Sequence, residues 1–256
     1  MGISGRIEVV GLRKAFGHKE VLRGISLSVE PAEAVAILGP SGCGKSVLLK
    51  HVVGLLTPDA GEVRLNGVPV HRMTSEELQV VRSQIGMVFQ GAALFDSLSV
   101  GENVAFPLRR HRNLRSQEVE EIVAEKLRLV GMEGTEDLMP SDLSGGMRKR
   151  VGIARALALN PVIVLYDEPT AGLDPVTARA VDRLMVRLHE QMRTTTVVVT
   201  HDLVTAFAVA QRIAVMHEGR FVALGTPQQI RTSSDPIVAE FVRSSALGTP
   251  AAAEVG

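Results

Sequence analysis

Three short stretches of the chain combine residue types that handle phosphate chemistry. Gly39-Pro40-Ser41-Gly42-Cys43-Gly44-Lys45-Ser46 matches the pattern G-x-x-x-x-G-K-[ST]. In such a loop the glycines let successive backbone N–H groups wrap a phosphate at a helix N-terminus, where the dipole favours anions. Lys45 would reach the β- and γ-phosphates of a nucleotide, and the Ser46 hydroxyl would ligate Mg²⁺. Val47 follows in the first helical turn, and Cys43, the only cysteine, reads as a small filler within the loop. The second stretch, Val162 to Glu168, is an apolar run that ends in two adjacent carboxylates. Ligands of doubly wound sheets bind at the carboxyl ends of strands. Asp167 is therefore placed to hold the metal through its water shell, and Glu168 to polarise an attacking water as general base. The third stretch, Leu143-Ser144-Gly145-Gly146-Met147, is another Gly-rich turn before a helical pattern over Arg148–Leu159, and offers a second phosphate contact. Taken alone, that turn reads equally well as a loop with an N-cap.

These residues need elements to hold them. Runs of strand length rich in Val, Ile and Leu occur at Ile7–Leu12, Val21–Val29, Ala34–Leu38, Glu62–Leu65, Ile85–Phe89, Val162–Tyr166, Thr195–Thr200, Ile213–Met216 and Phe221–Leu224. Helical spacing of apolar residues predicts helices over Val47–Leu56, over Ser116–Val130 with Ser116 as N-cap, and over Val176–Met192. Apolar strands alternating with helices indicate an α/β protein with a largely parallel, buried sheet. Earlier in the chain, Gly17-His18, Gly61 and Asn66-Gly67 separate short strands, which predicts hairpins and an antiparallel β layer. Residues 91–160 read as a helical insertion, and 245–256 as a mobile tail of small residues.

Composition removes several function classes. With 28 Lys+Arg against 28 Asp+Glu among 256 residues, the formal net charge is zero. A broad polyanion binder needs clustered cations, so nucleic acid is not an expected partner. Aromatics make up 3%, too few for a single-strand stacking platform. A 45% hydrophobic content is incompatible with a mostly disordered chain. One cysteine allows no internal disulfide framework and fits a reducing compartment. The longest apolar stretch, Val151 to Tyr166, is interrupted by Arg155, Asn160 and Pro161, and the N-terminus lacks a signal-peptide pattern. Membrane association is expected only through a partner.

With the three motifs in this order, the chain resembles the ATP-binding cassette (ABC) ATPases, from about Ile7 to Arg243. The resemblance implies a P-loop NTPase with a RecA-like parallel sheet, an antiparallel β subdomain and a helical signature subdomain, all within 6–244. ATP and Mg²⁺ are the implied cofactors. Phe16 stands where the family places an aromatic against adenine, and Gln90 matches the glutamine that contacts Mg²⁺ or the attacking water. Ala171-Gly172-Leu173-Asp174 matches the segment in which Asp174 acts across a dimer interface, and His201 matches the γ-phosphate-contacting switch histidine. The family closes head to tail, so Ser144, Gly145 and Gly146 of one copy would complete the site built on Lys45 of the other.

Neither a sustained heptad insertion nor a second cassette nor an Asn-Lys-x-Asp guanine reader is found, which leaves a transport ATPase subunit as the implied type. The stretches QGAALFDSLSVGENVAFPLRRH from Gln90 and LSGGMRKRVGIAR from Leu143 look like those of Mla/Mce-type phospholipid transporters. That resemblance implies two permease subunits, an Mce-domain lipid-binding protein and a small STAS-domain regulator as partners. It also implies a location on the cytoplasmic face of the inner membrane. The alternative is an importer for a small polar solute such as an amino acid or osmoprotectant.

Overall fold

The computed structural model describes residues 4–112 and 114–246. Most of the tail expected over 245–256 therefore lies outside the described residues. The chain opens with β1 (Ile7–Phe16) and β2 (Lys19–Val29), antiparallel across Gly17-His18. β3 (Ala34–Leu38) leads through the Gly-rich loop into α1 (Lys45–Val52). β4 (Ala60–Leu65) turns at Asn66-Gly67, both at positive φ, into the short β5 (Val68–Pro69). Next come α2 (Ser75–Arg82), β6 (Ile85–Val88) and three helices: α3 (Val100–His111), α4 (Ser116–Leu129) and α5 (Gly145–Leu157). The chain continues through β7 (Ile163–Asp167), α6 (Pro175–Met192), β8 (Thr195–Thr200) and α7 (Leu203–Val209). It ends with β9 (Arg212–His217), β10 (Arg220–Gly225), α8 (Pro227–Arg231) and α9 (Pro236–Ala246).

Two sheets result, an antiparallel one in the order β2-β1-β4-β5 and a six-stranded one in the order β10-β9-β3-β8-β7-β6. In the larger sheet only the edge strand β10 runs antiparallel. Every residue of β3, β7 and β8 is buried, as expected for parallel strands covered on both faces. The period of two sorts their side chains. Ile163, Leu165, Val197 and Val199 face a core shared with α1 and the antiparallel sheet. Val164, Tyr166 and Val198 face a second core shared with α3, α4, α5 and α6. At about 1.5–3 kcal/mol per fully buried aliphatic side chain, these two cores hold the central strands in one register. That register sets Leu38 beside Thr200 and Asp167 beside Val199, so the ends of β3, β8 and β7 lie at one edge. The segments that follow β3, β7 and β8 are delivered there.

Several local expectations need correction. Gly61 does not make a hairpin turn. It lies within β4 at φ +73, and a Cβ there would sit 2.3 Å from the Gly11 carbonyl oxygen, beside the register shift between Val10 and Arg13. Ser116 is the first helical residue and not the cap: Arg115 occupies the cap position, and its N–H donates to Glu118 Oε2 at 2.9 Å. α1 stops at Val52 because Gly54 follows at φ +67, and α5 starts three residues earlier than the apolar spacing suggested. Among the described residues, no helix is long and apolar enough to cross a membrane.

Candidate active site

The Gly-rich loop starts where β3 ends, with Gly39 N–H donating to the Thr200 carbonyl at 3.2 Å. Gly44 caps α1 at φ +113, and a Cβ there would meet Leu22 Cδ2 at 2.8 Å. Only glycine fits such a position. Lys45 is 5% exposed, and its Nζ donates to the carbonyls of Gly39 at 2.7 Å and Pro40 at 3.0 Å. The same ammonium lies 3.2 Å from Glu168 Oε1. Cys43 is buried, and burial pushes its thiol up, so it stays a neutral filler at physiological pH.

The carboxylate pair stands at the end of β7. Ser46 Oγ donates to Asp167 Oδ1 at 2.7 Å. Burial raises the Asp167 carboxyl above its ordinary value, against the pull of that hydrogen bond. A hydroxyl and a carboxylate oxygen side by side are hard donors that suit Mg²⁺. No cluster of three or more His, Cys, Asp or Glu able to hold a metal occurs among the described residues. The donor set therefore fits a cation shared with nucleotide phosphates better than one caged by protein alone.

Glu168 is 7% exposed and adopts φ +48, unusual for a residue with a side chain. Its N–H donates to the Val199 carbonyl at 2.9 Å. Its two carboxylate oxygens have different neighbours. Oε1 faces Lys45, while Oε2 lies 2.8 Å from His201 Nδ1 and accepts the His201 N–H at 3.3 Å. The carboxylate is thus held where three elements meet, with Lys45 from the start of α1, its own backbone just past β7 and His201 just past β8.

A cleft of about 390 Å³ opens over these groups. Ser41, Gly42, Gly44, Lys45, Ser46, Val47, Gln90, Glu168 and His201 line it, with Phe16 at its rim, 47% exposed. Lys14 Nζ stands 5.7 Å from the Phe16 ring centroid. Pro40 and Cys43 line an adjoining hollow beside Gly219. The sequence singled out most of this lining but not Val21, which β2 brings in from the antiparallel sheet.

The remaining motif residues do not line that cleft. Ser144 caps α5, accepting the Met147 N–H at 3.2 Å, and is exposed with Gly145. Asp174 caps α6, accepting the N–H groups of Val176 and Thr177 at 3.0 Å each. The hydrogen bonds from Thr177 hold its carboxyl below the usual carboxylate range. These two helix starts touch, since a Cβ on Gly146 would meet Thr177 Cγ2 at 2.5 Å. One protomer therefore presents a nucleotide-sized cleft and, apart from it, a corner of two capped helix N-termini. Lys149 of α5 was not singled out by any motif, yet it is buried and its Nζ donates to the carbonyls of Gln90 and Glu168. A lysine inside a helical pattern carries no sequence signal for such a role.

Comparison with known proteins agrees with this geometry. The ABC transporter family model matches residues 22–171. A probable ribonucleotide transport ATP-binding protein, mkl, of Mycobacterium tuberculosis is 40% identical over 248 residues, covering 97% of this chain and 68% of its own. The intermembrane phospholipid transport system ATP-binding protein MlaF of Haemophilus influenzae is 38% identical over 242 residues, covering 94% of this chain and 92% of its own. Among solved structures, a dimeric ATP-binding cassette in a post-hydrolysis state with ADP and Pi matches with a TM-score of 0.79 and 33% identity. That match covers 86% of this chain and 98% of the other. The chain therefore belongs to the ABC transporter family and is one of its ATP-hydrolysing cassettes.

Proposed function

We propose that two copies of this cassette close head to tail on ATP and drive phospholipid trafficking through a pair of permease subunits at the cytoplasmic face of a bacterial inner membrane. The observation that carries the chemistry is the Glu168 carboxylate, held between Lys45 and His201 at the floor of the cleft. Bound Mg²⁺, held by Ser46 and Asp167 with Gln90 nearby, would supply charge neutralisation for the phosphates. Lys45 binds and orients the phosphates, and the loop amides of Gly42, Gly44, Lys45 and Ser46 enclose them. Glu168 takes the proton of the attacking water, and His201, in contact with Glu168 Oε2, steadies the carboxylate and faces the terminal phosphate. Phe16 packs against the base. Ser144, Gly145, Gly146 and Asp174, remote from their own cleft, complete that of the partner.

The lipid substrate is supported by the MlaF relative, which matches nearly end to end, whereas the mycobacterial relative extends well beyond the match. An Mce-domain lipid-binding protein and a STAS-domain regulator go with that reading as further partners.

A second hollow, of about 420 Å³, is bordered by Phe89 and Ala93 on either side of Gln90 in the chain and suits the permease. Phe89, Phe95, Phe106 and Pro107 give it an apolar floor, with the Phe95 and Phe106 rings 4.6 Å apart. Phe106→Asp should abolish recovery of the permease subunits with the cassette, lowering it by about tenfold or more, while nucleotide affinity of the isolated subunit stays within about twofold. Permease recovery at the parental level, or crosslinks placing the permease on the opposite face, would remove the groove assignment. Purification of the parental complex from membranes should bring phospholipid with it. Recovery with a solute-binding protein and no lipid would favour the polar-solute importer.

A further inference from the structure

Lys149 is 5% exposed, and its ammonium makes two contacts, one to the Glu168 carbonyl at 3.2 Å and one to the Gln90 carbonyl. Burying an ammonium is costly unless fixed partners replace its water. Burial lowers the Lys149 pKa, and the nearby Glu168 and Asp167 carboxylates oppose that shift. The two carbonyls it joins belong to different parts of the mechanism. One is the backbone of the residue proposed as general base. The other belongs to the loop that lines both the nucleotide cleft and the apolar hollow.

Both segments need outside support. A non-glycine residue in the left-handed region costs of order 1 kcal/mol or more and persists only where its surroundings fix it. Glu168 lies there at φ +48, and after Gln90 so do Ala92 at φ +61 and Ala93 at φ +49. The Glu168 peptide is pinned on one side by its N–H to the Val199 carbonyl and on the other by Lys149. The Gln90 loop hangs on two cations of the same helix. Lys149 holds the Gln90 carbonyl, and Arg155 donates to the carbonyls of Ala93 at 2.7 Å and Ala92 at 2.8 Å. α5 thus connects the exposed Ser144 end, the loop bordering the apolar hollow and the backbone of Glu168.

We infer that Lys149 is a positioning residue that ties the catalytic Glu168 to the Gln90 loop, so that movement of this loop by a docked partner changes the aim of the carboxylate. The inference rests on the reading of Glu168 as base and of the apolar hollow as the permease seat. It adds a named atom through which the two communicate. No group transfer is involved, because the ammonium acts only as a donor to two carbonyls.

A control is available in the same fold. Lys126 is also buried, with its Nζ on Asn160 Oδ1 at 2.7 Å and Glu125 Oε1 at 2.8 Å, and no contact with the site. Lys149→Met should lower kcat about tenfold or more while ATP affinity changes by about twofold or less. In the assembled transporter it should also erase the ratio between permease-coupled and isolated-subunit hydrolysis. Lys149→Arg, which keeps the charge and enough donors for both carbonyls, should restore most of each. Lys126→Met should leave kcat within about twofold whatever it does to the melting temperature. If Lys149→Met does not fold, Lys149→Ser, a polar side chain too short to reach both carbonyls, is read in the same assays with the same expectations. Parental kcat in the Lys149 variant, arginine no better than methionine, or an equal kcat loss in Lys126→Met would each overturn the inference. Parental hydrolysis by Glu168→Gln would instead overturn the underlying assignment of the base, so the two failures are separable.

Discussion

Glu168→Gln should retain ATP and hydrolyse it about 10²–10⁴ times more slowly, the range associated with losing a positioned general base. The amide has the size of the carboxylate, so the cleft keeps its shape, and its oxygen can still accept the His201 N–H that now reaches Oε2 at 3.3 Å. What disappears is the acceptor for the water's proton and the negative charge beside Lys45. Removing that charge also frees the ammonium, now 3.2 Å from Oε1, for the phosphates, so affinity should hold or rise. Single-turnover hydrolysis and equilibrium nucleotide binding, measured on the same preparation, separate the two effects. Hydrolysis at the parental rate would show that the base is another group.

Lys45→Ala should fail one step earlier, at binding. The structure shows the ammonium folded onto its own loop, donating to the carbonyls of Gly39 and Pro40, in a position where phosphate oxygens would become its partners. Hydrogen bonds to charged groups are worth about 1.5–3 kcal/mol each, so losing two should weaken ATP binding about 10²-fold or more. The substitution also leaves Glu168, 7% exposed, with His201 as its remaining side-chain partner. A titration with a fluorescent ATP analogue should show the loss directly. Near-parental affinity would mean that the backbone amides hold the phosphates alone.

The sequence exposed the parts of this molecule whose information is local. β3 and β7 are buried on both faces and read as apolar runs, while β8, equally buried, mixes Thr with Val. Asp167 closes β7, His201 directly follows β8, and Lys45 lies across the Gly-rich loop from β3. The Gly-rich loop was legible because its backbone geometry restricts residue type, as the φ of +113 at Gly44 illustrates. Helix limits were less legible. Apolar spacing fixes the buried stripe but not the ends, which depend on which side chain satisfies the free N–H groups. The apolar spacing points to Ser116 as the cap, whereas Glu118 serves Arg115. Gly61 looked like a turn because the close approach of Gly11 comes from strand pairing that no local pattern encodes. Lys149 is the extreme case. Its partners lie 59 and 19 residues away along the chain, so its role exists only once β6, β7 and α5 are assembled.

The separation of the two halves of the site within one protomer is the feature that most needs a direct test. Lys45 lines the cleft, whereas Ser144 caps the exposed start of α5 elsewhere. Lys45→Ala and Ser144→Arg should each be nearly inactive alone, since every site in either homodimer carries one lesion. In a mixed dimer both lesions fall in one site and leave the other intact. Mixing the two inactive proteins with ATP and Mg²⁺ should therefore restore hydrolysis to about tenfold or more above either one. A mixture as inactive as its components would contradict completion of the cleft by the partner's Ser144.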